Sequence, residues 1–206
     1  MKKALLLIDL QNDFVHGGAL AVPQGNEVIA IANRLQPHFE WVIATQDWHP
    51  ANHGSFAANN APKNIGEVID LNGLRQILWP VHCVQNTNGA NFVPDLDTVS
   101  IKQIFRKGTD PSIDSYSGFF DNGKRKATGL GDFLTQQGIT EVYIMGLALD
   151  YCVKFSALDA LGLGFATYLI EDGCRAVNLQ PNDGTQALAD MQAAGVKIIQ
   201  SSYFNA

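Results

Sequence analysis

The stretch Glu141-Val142-Tyr143-Ile144-Met145-Gly146-Leu147-Ala148-Leu149-Asp150-Tyr151-Cys152-Val153-Lys154 decides the fold. Its first half is an apolar run that predicts a buried strand over Glu141–Met145. The second half takes up helical spacing and predicts a helix over Asp150–Leu161, stopped by Gly162. A strand that passes through a short turn into a helix is the building unit of a parallel sheet. Cys152 falls in the first helical turn, where free backbone N–H groups and the positive end of the helix dipole favour an ionised thiol.

Working outward, further apolar runs predict strands at Lys3–Ile8, Trp41–Thr45, Ile101–Arg106, Ala166–Ile170 and Lys197–Gln200. Helical patterns lie between several of them: Glu27–Leu35 with Asn26 as its cap, Asp132–Gln137 ended by Gly138, and Asp183–Ala194 ended by Gly195. Strands that are apolar throughout and joined by helices predict an α/β fold: a single domain, residues 1–206, with a six-stranded, mainly parallel sheet and helices on both faces. Residues 47–100 are rich in Asn, Gly, Pro and His without clear periodicity. They read as a loop-rich insertion, which at that length is more often functional than idle.

Composition narrows the partners. With 206 residues, 46% of them hydrophobic, the chain is long enough to bury one good core. A net charge of -6 argues against nucleic acid and against an anionic membrane, leaving a small soluble ligand. Asp9 interrupts the first apolar run after five residues, so the start of the chain does not read as a signal peptide, and no stretch approaches the ~20 apolar residues of a membrane span. Cys83, Cys152 and Cys174 are odd in number and widely spaced, which fits a reducing cytoplasm better than a disulfide framework. Both a monomer and a homo-oligomer remain open.

Four polar groups stand directly after predicted strands: Asp9, Asp47 with His49, and Lys107. In an open parallel sheet such positions converge on one edge, where ligands bind. Asp9 is placed to accept a proton from Cys152, and Lys107 to hold the resulting negative charge. Taken singly each has a bland reading: Cys152 as a small core residue, Asp9 as a cap, Lys107 as a solvated turn. Their convergence beside one another favours catalysis. Asp47-Trp48-His49 also sets a carboxylate and an imidazole two residues apart, on the same side of an extended segment. His82 offers a third metal ligand, with His53 competing for the place and Ser55 placed either to complete the shell or to orient a water; such a set suits zinc, iron or manganese. His16 and His38 read as ordinary residues.

Several of these residues sit in longer motifs. Ile8-Asp9-Leu10-Gln11-Asn12-Asp13-Phe14, Gly17-Gly18-Ala19-Leu20-Ala21-Val22, Thr45 to Phe56, Trp79-Pro80-Val81-His82-Cys83, Phe105-Arg106-Lys107-Gly108, Tyr116-Ser117-Gly118-Phe119 and Gly146 to Val153 follow one another along nearly the whole chain. In that order they resemble the bacterial nicotinamidases (pyrazinamidases) of the isochorismatase-like cysteine hydrolase family. The resemblance implies hydrolysis of nicotinamide to nicotinate and ammonia through a cysteine thioester, activity on pyrazinamide, and a role in NAD salvage. It implies Asp9, Lys107 and Cys152 as the catalytic triad, and Asp47, His49 and His82 as ligands of one divalent metal, zinc first. By the same resemblance Phe14, Leu20, Trp79, Tyr116 and Tyr151 wall the ring pocket. The resemblance further implies an oxyanion hole formed by the N–H groups of Ala148 and Cys152 beside a cis peptide bond within Ala148–Leu149. The rival within the same fold is a metal-independent isochorismatase-like or ureido-group hydrolase, and outside it a catalytically silent ligand-binding module.

Overall fold

A computed structural model describes residues 1–205. Six strands form one wholly parallel sheet: β1 Lys2–Ile8, β2 Trp41–Asp47, β5 Ile101–Lys107, β6 Ile139–Leu147, β7 Ala166–Arg175 and β8 Lys197–Ile199, in the spatial order β5-β2-β1-β6-β7-β8. The first strand is therefore central. Leu6 of β1 pairs with Ile43 of β2 on one side and with Ile144 of β6 on the other, and Ala4 to Ile8 are buried throughout. That double burial is why these strands carry uninterrupted apolar runs rather than an alternating pattern.

Four helices flank the sheet: α1 Glu27–Leu35, α2 Leu130–Gln136, α3 Lys154–Gly162 and α4 Asp183–Ala194. The chain steps from β1 to β2 in one direction and from β6 through β7 to β8 in the other. Right-handed crossovers then put α1 on one face and α3 and α4 on the opposite face. Between β1 and β6 the direction of winding reverses, and the carboxyl ends of these two strands open a crevice of the kind that binds ligands in such sheets. The protein is thus a single α/β domain with helices on both faces.

Several local expectations are corrected. The stretch 47–100 holds a two-stranded antiparallel hairpin, β3 Val68–Leu71 with β4 Leu74–Ile77. Asn26 does not cap α1; its Oδ1 accepts from the His16 N–H at 2.8 Å. The helix expected from Asp150 starts instead as one π-turn, Leu149–Val153, before α3 begins at Lys154. The cis peptide bond joins Leu147 to Ala148, one bond earlier than expected, where β6 ends. Among the described residues no helix is long and apolar enough to cross a membrane.

Candidate active site

Asp9, Asp47, Lys107 and Cys152 gather at the carboxyl ends of the sheet strands. β1 delivers Asp9, β2 ends on Asp47, β5 ends on Lys107, and the turn after β6 carries Cys152. Asp9 takes a left-handed backbone conformation, φ +50°, as the chain leaves β1. Two residues on, Gln11 is wholly buried and grips the end of β2: its Oε1 accepts from the Asp47 N–H at 2.8 Å while its Nε2 donates to the Asp47 carbonyl at 2.8 Å. The two strand ends are thereby held in fixed relation.

Lys107 is the hub. Its side chain is fully buried, and its Nζ donates to Asp47 Oδ1 at 2.5 Å, to the Ser115 carbonyl at 3.0 Å and to Cys152 Sγ at 3.3 Å. Asp9 Oδ2 lies 2.8 Å from the same nitrogen as a buried ion pair, and among the described residues no other group holds it. Asp9 Oδ1 is held by the Thr45 hydroxyl at 2.6 Å. Ligand atoms of Asp9, Asp47 and Cys152 all fall within 4.8 Å of one another. The solvated-turn reading of Lys107 does not survive this burial.

Burial sets the protonation states. It disfavours the Lys107 ammonium, but the carboxylates of Asp47 and Asp9 outweigh it and keep that group charged well above its ordinary range. Burial pushes Asp9 above the usual carboxylate range, with Lys107 offsetting only part of the rise. For Asp47 burial acts in the same sense, but Lys107 and then His49 overcome it and hold the carboxyl well below its usual value. The Cys152 thiol is pushed up well beyond its ordinary value, chiefly by burial, against the lowering influence of Lys107. Burial at Cys152 thus works against the pull of the helix end toward an ionised thiol, while Lys107 works with it.

The second cluster suits a metal ion. His49 Nδ1 lies 2.8 Å from the Gly108 carbonyl and His82 Nδ1 2.8 Å from the Pro80 carbonyl. A carbonyl only accepts, so each ring carries its proton on Nδ1 and turns an Nε2 lone pair inward. Those Nε2 atoms are 3.4 Å and 3.6 Å from Asp47 Oδ2, too far for good hydrogen bonds. Two ligands held at about 2.1 Å in tetrahedral geometry would be about 3.4 Å apart, so the spacing fits a shared ion. His53 belongs elsewhere: its ring sits 4.3 Å from that of His49, and its ligand atoms group with His49 and Asp114 rather than with Asp47 and His82. Ser55 Oγ holds His53 Nδ1 at 2.7 Å, and burial, then His49, lowers the His53 pKa to about 4.

A cavity links the two clusters. Phe14, Leu20, Trp79, Tyr116, Tyr151 and Ala148, all anticipated from the sequence, line it together with Asp47, His82 and Cys152. Trp79 stands edge-on to Tyr151 at 4.9 Å and donates its indole N–H to the Tyr116 hydroxyl at 3.1 Å. Two lining residues were not anticipated, Asp114 and Val177. Asp114 accepts from the Ser115 N–H at 2.7 Å and from Gln76 of β4 at 3.0 Å. Neither residue ends an apolar run, so no sequence pattern marked them.

Known proteins resemble the chain along nearly its whole length. Residues 3–202 match the family model described as the isochorismatase domain. The chain is 54% identical over 202 residues to the nicotinamidase of Escherichia coli (strain K12), covering 95% of this chain and 93% of that one. Among solved structures, the Acinetobacter baumannii nicotinamidase/pyrazinamidase superposes with a TM-score of 0.96 at 45% identity, over 98% of each chain. A Pyrococcus horikoshii pyrazinamidase, described in complex with zinc, superposes with a TM-score of 0.79 at 39% identity over 97% of this chain and 99% of that one.

Proposed function

The chain belongs to the isochorismatase family, and on that footing we propose that it is a nicotinamidase, hydrolysing the carboxamide of nicotinamide to nicotinate and ammonia by way of a thioester on Cys152. The high identity to a nicotinamidase over nearly the full length supports the substrate. Pyrazinamide, a ring amide of the same shape, is a second substrate in this reading, and the cell's use of the reaction is NAD salvage. The observation that carries the chemistry is the buried Lys107 Nζ, in contact at once with Asp9, Asp47 and Cys152.

Each residue then has a defined task. Asp9 takes the Cys152 proton as the sulfur attacks the amide carbon. Lys107 keeps its charge beside both, so the proton moves between partners that are already electrostatically balanced. The N–H groups of Ala148 and Cys152 receive the developing oxyanion; those of Tyr151 and Val153 are engaged with the Ala148 carbonyl, each at 3.1 Å. Protonated Asp9 passes its proton to the departing nitrogen, and ammonia leaves. Water then attacks the thioester, Asp9 again accepts a proton, and nicotinate is released as the proton returns to sulfur. The aromatic walls exclude other water and orient the ring.

In this reading the segment 47–100 is the insertion that brings His49 and His82 to Asp47, and the three hold one divalent ion, zinc ahead of iron or manganese. An ion held there supplies Lewis acidity toward the pyridine nitrogen. His53 and Ser55 support the ring of His49 from behind. Two imidazoles with fixed inward lone pairs argue against a metal-independent relative. The three free cysteines support a reducing, cytoplasmic setting, and the net charge of -6 supports neither nucleic acid nor an anionic membrane as partner. The test is ammonia release from nicotinamide by purified protein, with and without chelator. Turnover is expected, with KM raised strongly on chelation, whereas benzamide, lacking the ring nitrogen, is a poor substrate indifferent to chelator. Absence of turnover overturns the reading, and active enzyme free of metal overturns the ligand assignment.

A further inference from the structure

The turn that carries the nucleophile also carries a buried carboxylate with no part in the chemistry above. Asp150 stands two residues before Cys152 in the π-turn and is 7% exposed. It meets no cation. Instead its Oδ1 accepts from the Val177 N–H at 2.9 Å and its Oδ2 from the Asn178 N–H at 2.8 Å, two successive amides on the segment that leaves β7. A carboxylate that accepts two backbone N–H groups makes strong, directional bonds, and removing it orphans both donors. The same segment is tied again at Asn178, φ +53°, whose Oδ1 accepts from the Gly184 N–H in the first turn of α4 at 2.9 Å.

Val177 belongs to this tied segment and lines the ring cavity with Cys152, Ala148 and Tyr151. We propose that Asp150 is a positioning residue that fixes Val177 as a specificity-determining wall of the ring pocket, so that one turn sets both the nucleophile and the ring size it meets. The proposal rests on the nicotinamidase reading and deepens it. The substrate class favoured is an aromatic carboxamide unsubstituted on the ring edge facing Val177. Discrimination by an apolar wall against one extra methyl group is worth roughly 10- to 200-fold.

The experiment measures kcat and KM for nicotinamide and for the four nicotinamides bearing a single ring methyl, with wild type, Val177→Ala and Asp150→Asn. Failure of wild type to release ammonia from nicotinamide overturns the parent reading and the proposal with it. With active wild type, the expected result is that at least one methylated amide gains about tenfold or more in kcat/KM relative to nicotinamide in Val177→Ala. The same amide gains in Asp150→Asn, whose nicotinamide KM rises more than its kcat falls. Hydrogen exchange at the Val177 and Asn178 amides of Asp150→Asn should quicken, a change that a role confined to Cys152 would not produce. Unaltered methyl selectivity in Val177→Ala overturns the specificity role, and this variant decides it even if Asp150→Asn does not fold. A fall in kcat alone in Asp150→Asn, with KM, selectivity and exchange unmoved, overturns the positioning role.

Discussion

Lys107 holds one positive charge among two carboxylates and a thiol, and its removal has a calculable sign. In Lys107→Met, Asp9 and a nascent thiolate face each other uncompensated, so both pKa values move further up. We expect kcat to fall at least ~100-fold, the scale of losing one preorganised electrostatic contact. Iodoacetamide alkylation of Cys152 should slow in parallel, with its midpoint displaced to higher pH; an unchanged profile with near-normal kcat would return Lys107 to a structural role. Cys152→Ala should abolish turnover while ring binding persists, and Cys83→Ala and Cys174→Ala should keep most activity, as single-turnover assays on the three will show. The base has a pH signature too. As the proposed base Asp9 must be ionised, and its carboxyl lies above the usual range, so kcat/KM should fall on acidification through a value higher than that of an ordinary aspartate. Losing Lys107 should carry that acid limb to still higher pH.

At the scale of elements, strand ends matter more than strand middles. Gly108, just past β5, has φ +63° and offers its carbonyl to His49; a Cβ there would run into the His49 ring. Gly108→Ala should therefore weaken metal binding by about 10- to 100-fold, the range seen when a ligand's supporting shell is lost, which titration of chelated protein with zinc will measure. Metal affinity equal to wild type would mean that His49 is not a ligand. The strands of the main sheet were legible because double burial demands unbroken apolar runs, as in Ala4 to Ile8. β7 nonetheless runs on to Arg175 through Glu171, Asp172 and Gly173, where the apolar signal had stopped at Ile170. The β3–β4 hairpin was invisible for a related reason: its strands are four residues each and only partly buried, so hydrophobic pattern hardly constrains them. In the site, residues that end apolar runs, such as Asp9, Asp47 and Lys107, could be picked out. Asp114, Val177 and Gln76 could not, since their places depend on loop paths and on a hairpin set by long-range packing.

For the molecule as a whole, a ligand that binds only the folded state adds stability by mass action. At a metal concentration of 100 times Kd the gain is about 2.7 kcal/mol, so chelation should lower the unfolding temperature by several degrees, and zinc should restore it. No thermal shift in either direction would exclude a metal at Asp47, His49 and His82. The order β5-β2-β1-β6-β7-β8 has a further consequence, for the history of the chain rather than its end state. β1 emerges first during synthesis, yet its partner β6 spans Ile139–Leu147, more than 130 residues later. Until then one margin of this central, apolar strand has nothing to pair with, and pairings this distant form slowly. Nascent chains stalled before Ile139 should therefore be sticky and in need of chaperones, and those extended past Leu147 much less so. The strand that leads into Asp9, the proposed base, is thus also the one most exposed to aggregation while the protein is being made.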